Sequence, residues 1–268
     1  MSFQSVGELG NVSGKRILVR VDFNVPVREG RVADDFRIKK TLPTIKHLLS
    51  LGAKVILISH IDSKEGGTLK PVTDYLSPIM PLSFAAEEDL KILKENSLRL
   101  ESGQAILLEN IRRYEGEEKN DEDFAEELAE LGDYFVNEAF SVSHRSHASI
   151  VGVPRHLPSF AGFLFEREIK ELSRAFNPPH PFLFILGGAK FQTKQPLVLK
   201  FLDIADDVFV GGALGNDFFK AKGFEVGGSI TSGILPPEEI VNHQKIMIPT
   251  DVVVRAGDGR HVVRSPDK

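Results

Sequence analysis

Arginine, histidine, aspartate and asparagine gather at a few points of this chain, each directly after a short apolar run. Ile17-Leu18-Val19 leads into Arg20, Asp22 and Asn24, and the turn Asp34-Asp35-Phe36 delivers Arg37 to the start of a helix. Ser59-His60 follows a second run, and Glu109-Asn110-Ile111-Arg112-Arg113 a third. A fourth ends in Asn137-Glu138, with Ser143-His144-Arg145-Ser146-His147 just beyond. A guanidinium fork matches carboxylate and phosphate oxygens two at a time. One arginine alone is most often half of a surface ion pair. Recurrence at four successive strand ends favours a binding surface for a small anion, and a phosphorylated carboxylic acid fits it. His144 and His147 have the spacing of a metal pair but lack further ligands in register, so no metal site is read here.

A second chemistry lies further along. Leu186-Gly187-Gly188-Ala189-Lys190-Phe191-Gln192-Thr193-Lys194 follows a strand and opens a helix, and Val210-Gly211-Gly212-Ala213-Leu214-Gly215-Asn216 repeats the arrangement. Glycines at such turns let backbone N–H groups approach phosphates, and a helix N-terminus favours negative charge. The spacing is not that of a Walker loop. Either pair alone is commonly just a tight turn. Together, with Lys190 and Lys194, they point to a nucleotide phosphate site at Gly187, Gly188, Lys194, Gly211 and Gly212. Two anion sites on two domains suit phosphoryl transfer, with hinge closure holding the repelling anions together.

The elements that must position these groups alternate. Strands are expected at 17–21, 54–59, 105–108, 134–137, 182–186, 207–210 and 246–254. Most are continuous apolar runs, as in parallel strands covered on both faces. Helices are expected at 37–51, 121–131 and 165–176, the last with Ile169, Leu172 and Phe176 inward. The acidic stretch 115–127 reads as a solvated loop and helix face. This order predicts an α/β protein of two Rossmann-like domains with parallel sheets. Asn177-Pro178-Pro179-His180-Pro181 marks the boundary, giving a domain over 1–165, a connecting helix and hinge over 166–180, and a second domain over 181–268. The second reads as incomplete: it holds few strands, and Arg255 to Arg264 resembles a hairpin.

The bulk numbers set the background. In 268 residues, a net charge of -5 argues against a general nucleic-acid or anionic-membrane binder, and the absence of cysteine removes thiolate chemistry. The N-terminus lacks the order of a signal peptide, and no apolar run approaches the roughly 18 residues of a membrane span. A cytoplasmic protein is expected.

The motifs resemble those of the phosphoglycerate kinase family. Val19-Arg20-Val21-Asp22-Phe23-Asn24-Val25-Pro26, Asp34-Asp35-Phe36-Arg37-Ile38, Leu107-Leu108-Glu109-Asn110-Ile111-Arg112, His144-Arg145-Ser146-His147-Ala148-Ser149, Gly187-Gly188-Ala189-Lys190 and Gly211-Gly212-Ala213-Leu214 carry the likeness, in order along the whole chain. The resemblance implies that Asp22, Phe23, Asn24, Arg37, His60, Arg112 and Arg145 bind 3-phosphoglycerate or 1,3-bisphosphoglycerate. It implies that Arg37 and Lys190 serve the transferring phosphoryl group and that Lys194 meets the nucleotide phosphates. Magnesium would arrive with ADP or ATP as part of the substrate. A monomer without nucleic-acid or membrane partners is expected.

Two departures stand out. The family's Ser-His-Leu-Gly-Arg loop is Ser59-His60-Ile61-Asp62-Ser63 here, which replaces a substrate-gripping arginine with serine and predicts weaker substrate binding. The family's C-terminal third, with its ribose carboxylate and Gly-Gly-Asp loop, has no counterpart after Lys194. The alternative reading is therefore an anion-binding module of the same family with weak or no turnover. A Rossmann-type dehydrogenase is a poor third, because no Gly-x-Gly-x-x-Gly with a downstream acid occurs.

Overall fold

The computed structural model describes residues 3–62 and 67–266. They form two compact units, Met1–Glu171 and Leu172–Lys268. The first begins with strand β1 (Arg16–Arg20), a short hairpin β2 (Val27–Arg28) and β3 (Arg31–Val32), helix α1 (Phe36–Ser50) and β4 (Lys54–Ile58). It continues with α2 (Lys70–Leu76), β5 (Leu82–Ala85), α3 (Leu90–Arg99), β6 (Ala105–Leu108), α4 (Glu115–Lys119), α5 (Glu122–Ala129), β7 (Tyr134–Asn137) and β8 (Ser159–Ala161). Helix α6 (Phe163–Arg174) contains the boundary between the units.

Six strands build one parallel sheet in the order β5-β6-β4-β1-β7-β8. Val19 pairs with Leu57 on one side and Val136 on the other. Side chains of a strand alternate between faces, and β1 obeys this. Ile17 and Val19 join Ile38, Ile45 and Leu48 in the core under α1. Leu18 faces the opposite way, with Ile56, Phe135 and Leu128 beside α5. Both faces are covered, which is why the central strands read as unbroken apolar runs. The edge strands β5 and β8 were not expected. They are three or four residues long, half-buried, and each contains a serine.

Helix α1 buries Ile38, Thr41, Ile45 and Leu48, the i, i+3, i+4 stripe that its sequence predicts, and tolerates Pro43 within it. Gly52 follows at φ +74°, a backbone shape that disfavours any side chain. Asp121 caps α5 by accepting the Phe124 N–H at 2.9 Å.

The second unit holds β9 (Leu183–Leu186), α7 (Phe191–Ile204), β10 (Asp207–Val210), α8 (Gly212–Ala221), a short α9 (Glu238–Val241), β11 (Ile246–Met247), β12 (Val252–Arg255) and β13 (His261–Arg264). Its parallel sheet has the order β11-β10-β9, packed on Phe191, Val198, Phe201, Leu214 and Phe218. Two expectations fail here. The run 246–254 is not one strand: Pro249 has no N–H to continue the ladder, and β12 pairs instead with β13 as an antiparallel hairpin. Leu172 and Phe176 do not point inward; they are 51% and 52% exposed. Phe176 lies against Phe201 (6.1 Å between centroids) with the Lys200 ammonium 4.3 Å from its ring. Among the described residues, no helix is long and apolar enough to cross a membrane.

Candidate functional site

The four polar clusters sit at the carboxyl ends of β6, β4, β1 and β7, which are consecutive neighbours in the sheet. In an open α/β sheet, ligands bind outside these ends, where the connections diverge. Cross-strand bonds fix the loops beyond them. The Phe23 N–H donates to Ser59 Oγ (2.9 Å), the Ile111 N–H to the Ser59 carbonyl (3.0 Å), and the Glu138 N–H to the Arg20 carbonyl (2.9 Å). Asn110 holds the loop after His60 with both ends of its amide. Its oxygen accepts the Ile61 N–H (3.2 Å), and its nitrogen donates to the carbonyls of Ile61 (2.9 Å) and Gly67 (3.0 Å). Glu109, buried, accepts from the Thr68 hydroxyl (2.6 Å) and the Leu69 N–H (2.9 Å) at the entry to α2.

Several predicted residues are thereby linked. Arg37 donates to Asp22 at 2.8 Å, and Ser141 donates to the same carboxylate oxygen at 2.5 Å. Asn24 donates to Asp62 (2.9 Å), whose carboxylate also pairs with Arg112. Arg112 Nε lies 3.2 Å from Glu118. The Phe23 ring is fully buried in the core, so only its backbone is available to a ligand. Arg145 is exposed on the turn after β7, and no described contact ties it to the cluster. Ser63 and Lys64 lie outside the described residues.

Below this surface runs a buried chain of polar groups. Arg20 is 1% exposed. Its Nε donates to Ser149 Oγ (2.8 Å), its Nη1 to the Val21 carbonyl (2.6 Å) and its Nη2 to His60 Nδ1 (3.2 Å). Ser149 in turn donates its hydroxyl (2.6 Å) and its N–H (2.9 Å) to Glu117, a carboxylate with no exposure. Burial lowers the Arg20 pKa, and Glu117 and Asp22 oppose that by Coulomb attraction. Burial, then Arg20 and Arg112, drives the His60 pKa down to about 3. The ring is thus neutral near pH 7, and because Nδ1 accepts from a guanidinium, its proton is assigned to Nε2. His60 is presented as a hydrogen-bond donor of fixed tautomer.

The acidic stretch 115–127 is therefore not all solvated face, since Glu117 lies inside it and balances a buried arginine. Sequence reading passed over Ser141, and it named Glu138 and Ser149 only within a polar cluster and a motif, without a role. Serine is too common in loops to stand out, and only the fold brings Ser149 under Arg20. Glu138, at the end of β7, accepts from Thr44 Oγ1 (2.6 Å) and from the N–H groups of Leu164 (3.2 Å) and Phe165 (3.4 Å) at the start of α6. It borders a cavity of about 400 Å³ that Asp22, Arg37, Lys40 and Arg167 also line.

In the second unit the two glycine turns meet. Leu186 pairs with Val210, so the turns leave adjacent strand ends. The Leu214 N–H donates to the Gly188 carbonyl at 2.6 Å, and the Gly211 N–H to the Leu186 carbonyl at 2.9 Å. Gly188 and Gly212 take φ of +146° and +62°, which a side chain would strain. A Cβ on Gly188 would stand 3.5 Å from the Lys194 chain, so Lys194 covers this turn. Lys190 is exposed at the N-terminal end of α7.

A doubly wound α/β chain in two units, with converging cations at central strand ends and a second sheet carrying twin glycine turns, is the class that fold and site define. The phosphoglycerate kinase family model matches residues 6–266. A phosphoglycerate kinase of Borrelia garinii subsp. bavariensis is 43% identical over 244 residues, covering 86% of this chain and 61% of that protein. One from Pelotomaculum thermopropionicum is 40% identical, covering 92% of this chain and 67% of that protein. The solved phosphoglycerate kinases of Coxiella burnetii (TM-score 0.80, 33% identity) and Pyrococcus horikoshii (TM-score 0.82, 30% identity) each cover 98% of this chain, which spans 71% of theirs. The chain belongs to the phosphoglycerate kinase family. It spans about three fifths of the length of the Borrelia relative.

Proposed function

We propose that this protein transfers a phosphoryl group between 1,3-bisphosphoglycerate and ADP, giving 3-phosphoglycerate and ATP. The observation that carries the reading is the gathering of Asp22, Asn24, Arg37, His60 and Arg112 at neighbouring ends of one parallel sheet, with Arg37 bonded to Asp22, Asn24 and Arg112 joined through Asp62, and His60 held by Arg20. In this reading Asn24 and Asp22 meet the glycerate hydroxyl. Arg112, Arg145 and His60, through its Nε2 proton, hold the phosphate and carboxylate oxygens. Phe23 contributes backbone only.

The twin glycine turns, Gly187, Gly188, Gly211 and Gly212, with Lys194, receive the nucleotide phosphates, and magnesium arrives with them. A β-phosphate oxygen of ADP attacks the acyl phosphorus, and the bond from phosphorus to the carboxyl oxygen breaks. The 3-phosphoglycerate carboxylate leaves with the electron pair, so no general acid is required. What the protein supplies is positive charge on the moving group, from Arg37 and Lys190. The domain roles follow: the sheet of residues 1–165 for the acid, the segment 166–180 as hinge, and 181–268 for the nucleotide. A cytoplasmic monomer suits such chemistry.

A coupled turnover assay on this chain, with calorimetry for 3-phosphoglycerate and MgADP, tests the proposal. Turnover that Arg37→Ala and Lys190→Ala each abolish supports it. Binding of 3-phosphoglycerate without turnover reduces the function to anion binding, and no binding of either ligand overturns it.

A further inference from the structure

The loop after β4 places a carboxylate where a ligand's oxygens belong. Asp62 accepts from Asn24 Nδ2 at 2.9 Å and pairs with Arg112, while its own N–H donates to Asn24 Oδ1 at 3.0 Å. It engages both functional ends of one proposed ligand-binding side chain and the charge of another. We propose that Asp62 is an internal competitor for the acid site, setting its affinity by occupying Asn24 and Arg112 until a more highly charged anion displaces it. This deepens the proposed function and rests on its assignment of Asn24 and Arg112.

Two features make the exchange feasible. The Asp62 side chain is 59% exposed, whereas that of Arg112 is only 22% exposed. The competitor can therefore swing into water while its partner stays in place. An exposed ion pair is weak, so the contact can be broken by a ligand. The displaced carboxylate still stands beside the bound anion and repels it, which adds to the cost. Glu118 also faces Arg112, at 3.2 Å, but no described contact joins it to Asn24. A Glu118 variant therefore separates a general loss of negative charge from loss of the competitor.

The test is calorimetric titration of 3-phosphoglycerate, and separately of inorganic phosphate, into the full chain and its Asp62→Asn, Asp62→Ala and Glu118→Gln variants. Asp62 is on the surface, and circular dichroism checks that each variant is folded. Affinity should rise about two- to fivefold in both Asp62 variants, the size expected when one exposed charge pair stops competing. Glu118→Gln should give a smaller rise. Unchanged or weaker binding in folded Asp62 variants, or an equal gain from Glu118→Gln, overturns the competitor. If no chain binds 3-phosphoglycerate but the Asp62 variants gain phosphate affinity, the competitor stands and the proposed substrate falls.

Discussion

Replacing Glu138 by glutamine should remove a specific pH dependence from the stability of the first unit. The carboxyl is 1% exposed and faces Thr44 and the first N–H groups of α6. The chain packs so closely that a Cβ at Gly162 would lie 1.8 Å from Glu138 Oε2. Burial raises its pKa from 4.5 to about 7, against the pull of the three hydrogen bonds. The folded state therefore keeps a proton that the unfolded state has lost between these values. Stability is greatest below the unfolded pKa and falls as pH rises through the folded one. At 1.36 kcal/mol per tenfold in proton activity, the whole difference is about 3 kcal/mol, of which about 2 kcal/mol falls between pH 5.5 and 8. Glutamine is neutral throughout and still offers Thr44 an acceptor. All three tyrosines, Tyr75, Tyr114 and Tyr134, lie in the first unit and there is no tryptophan, so tyrosine fluorescence reports that unit's urea unfolding. The difference in unfolding free energy, variant minus parent, should grow by about 2 kcal/mol from pH 5.5 to 8. The other titrating groups cancel in that difference. Parallel pH profiles for the two chains would refute the argument.

Three further outcomes follow from named contacts. Glu117→Gln removes the carboxylate that balances buried Arg20 and sets an amide N–H against the Ser149 N–H or hydroxyl. It should cost about 2–4 kcal/mol in the same urea assay, against near zero for the exposed Glu115→Gln. Gly162→Ala pushes a methyl into the Glu138 carboxylate and should destabilise the first unit by about 1–3 kcal/mol, most of it recovered when Glu138→Ala is added. Ser63→Arg supplies the guanidinium that the family's loop carries at this position. It should lower the KM for 3-phosphoglycerate in the turnover assay, and an unchanged KM would refute the expectation that Ser63 weakens substrate binding.

Much of this protein was legible in one dimension because burial on both faces forces a simple code. The interiors of strands β1, β4, β6 and β7 are apolar without interruption, and the polarity change at each end marks where the sheet meets solvent. That contrast exposed Asp22, Asn24, His60 and Arg112 as candidates, and paired glycines marked the turns after β9 and β10. Short edge strands carry no such code, so β5 and β8 stayed hidden, as did the break at Pro249 that turns one apolar run into two elements.

Tertiary structure alone decided how the candidates behave. Glu117, Ser149, Arg20 and His60 are scattered over more than a hundred residues and form one buried chain only after the segments beyond β4, β6 and β7 fold against the end of β1. The charge state of His60 and the balance of Arg20 are properties of that assembly, because loss of water and the pull of neighbouring charges depend on burial and distance rather than on residue type. Asp62 makes the same point at the surface. Its identity is plain in the sequence, but its grip on Asn24 and Arg112 comes from the return of two loops to one place.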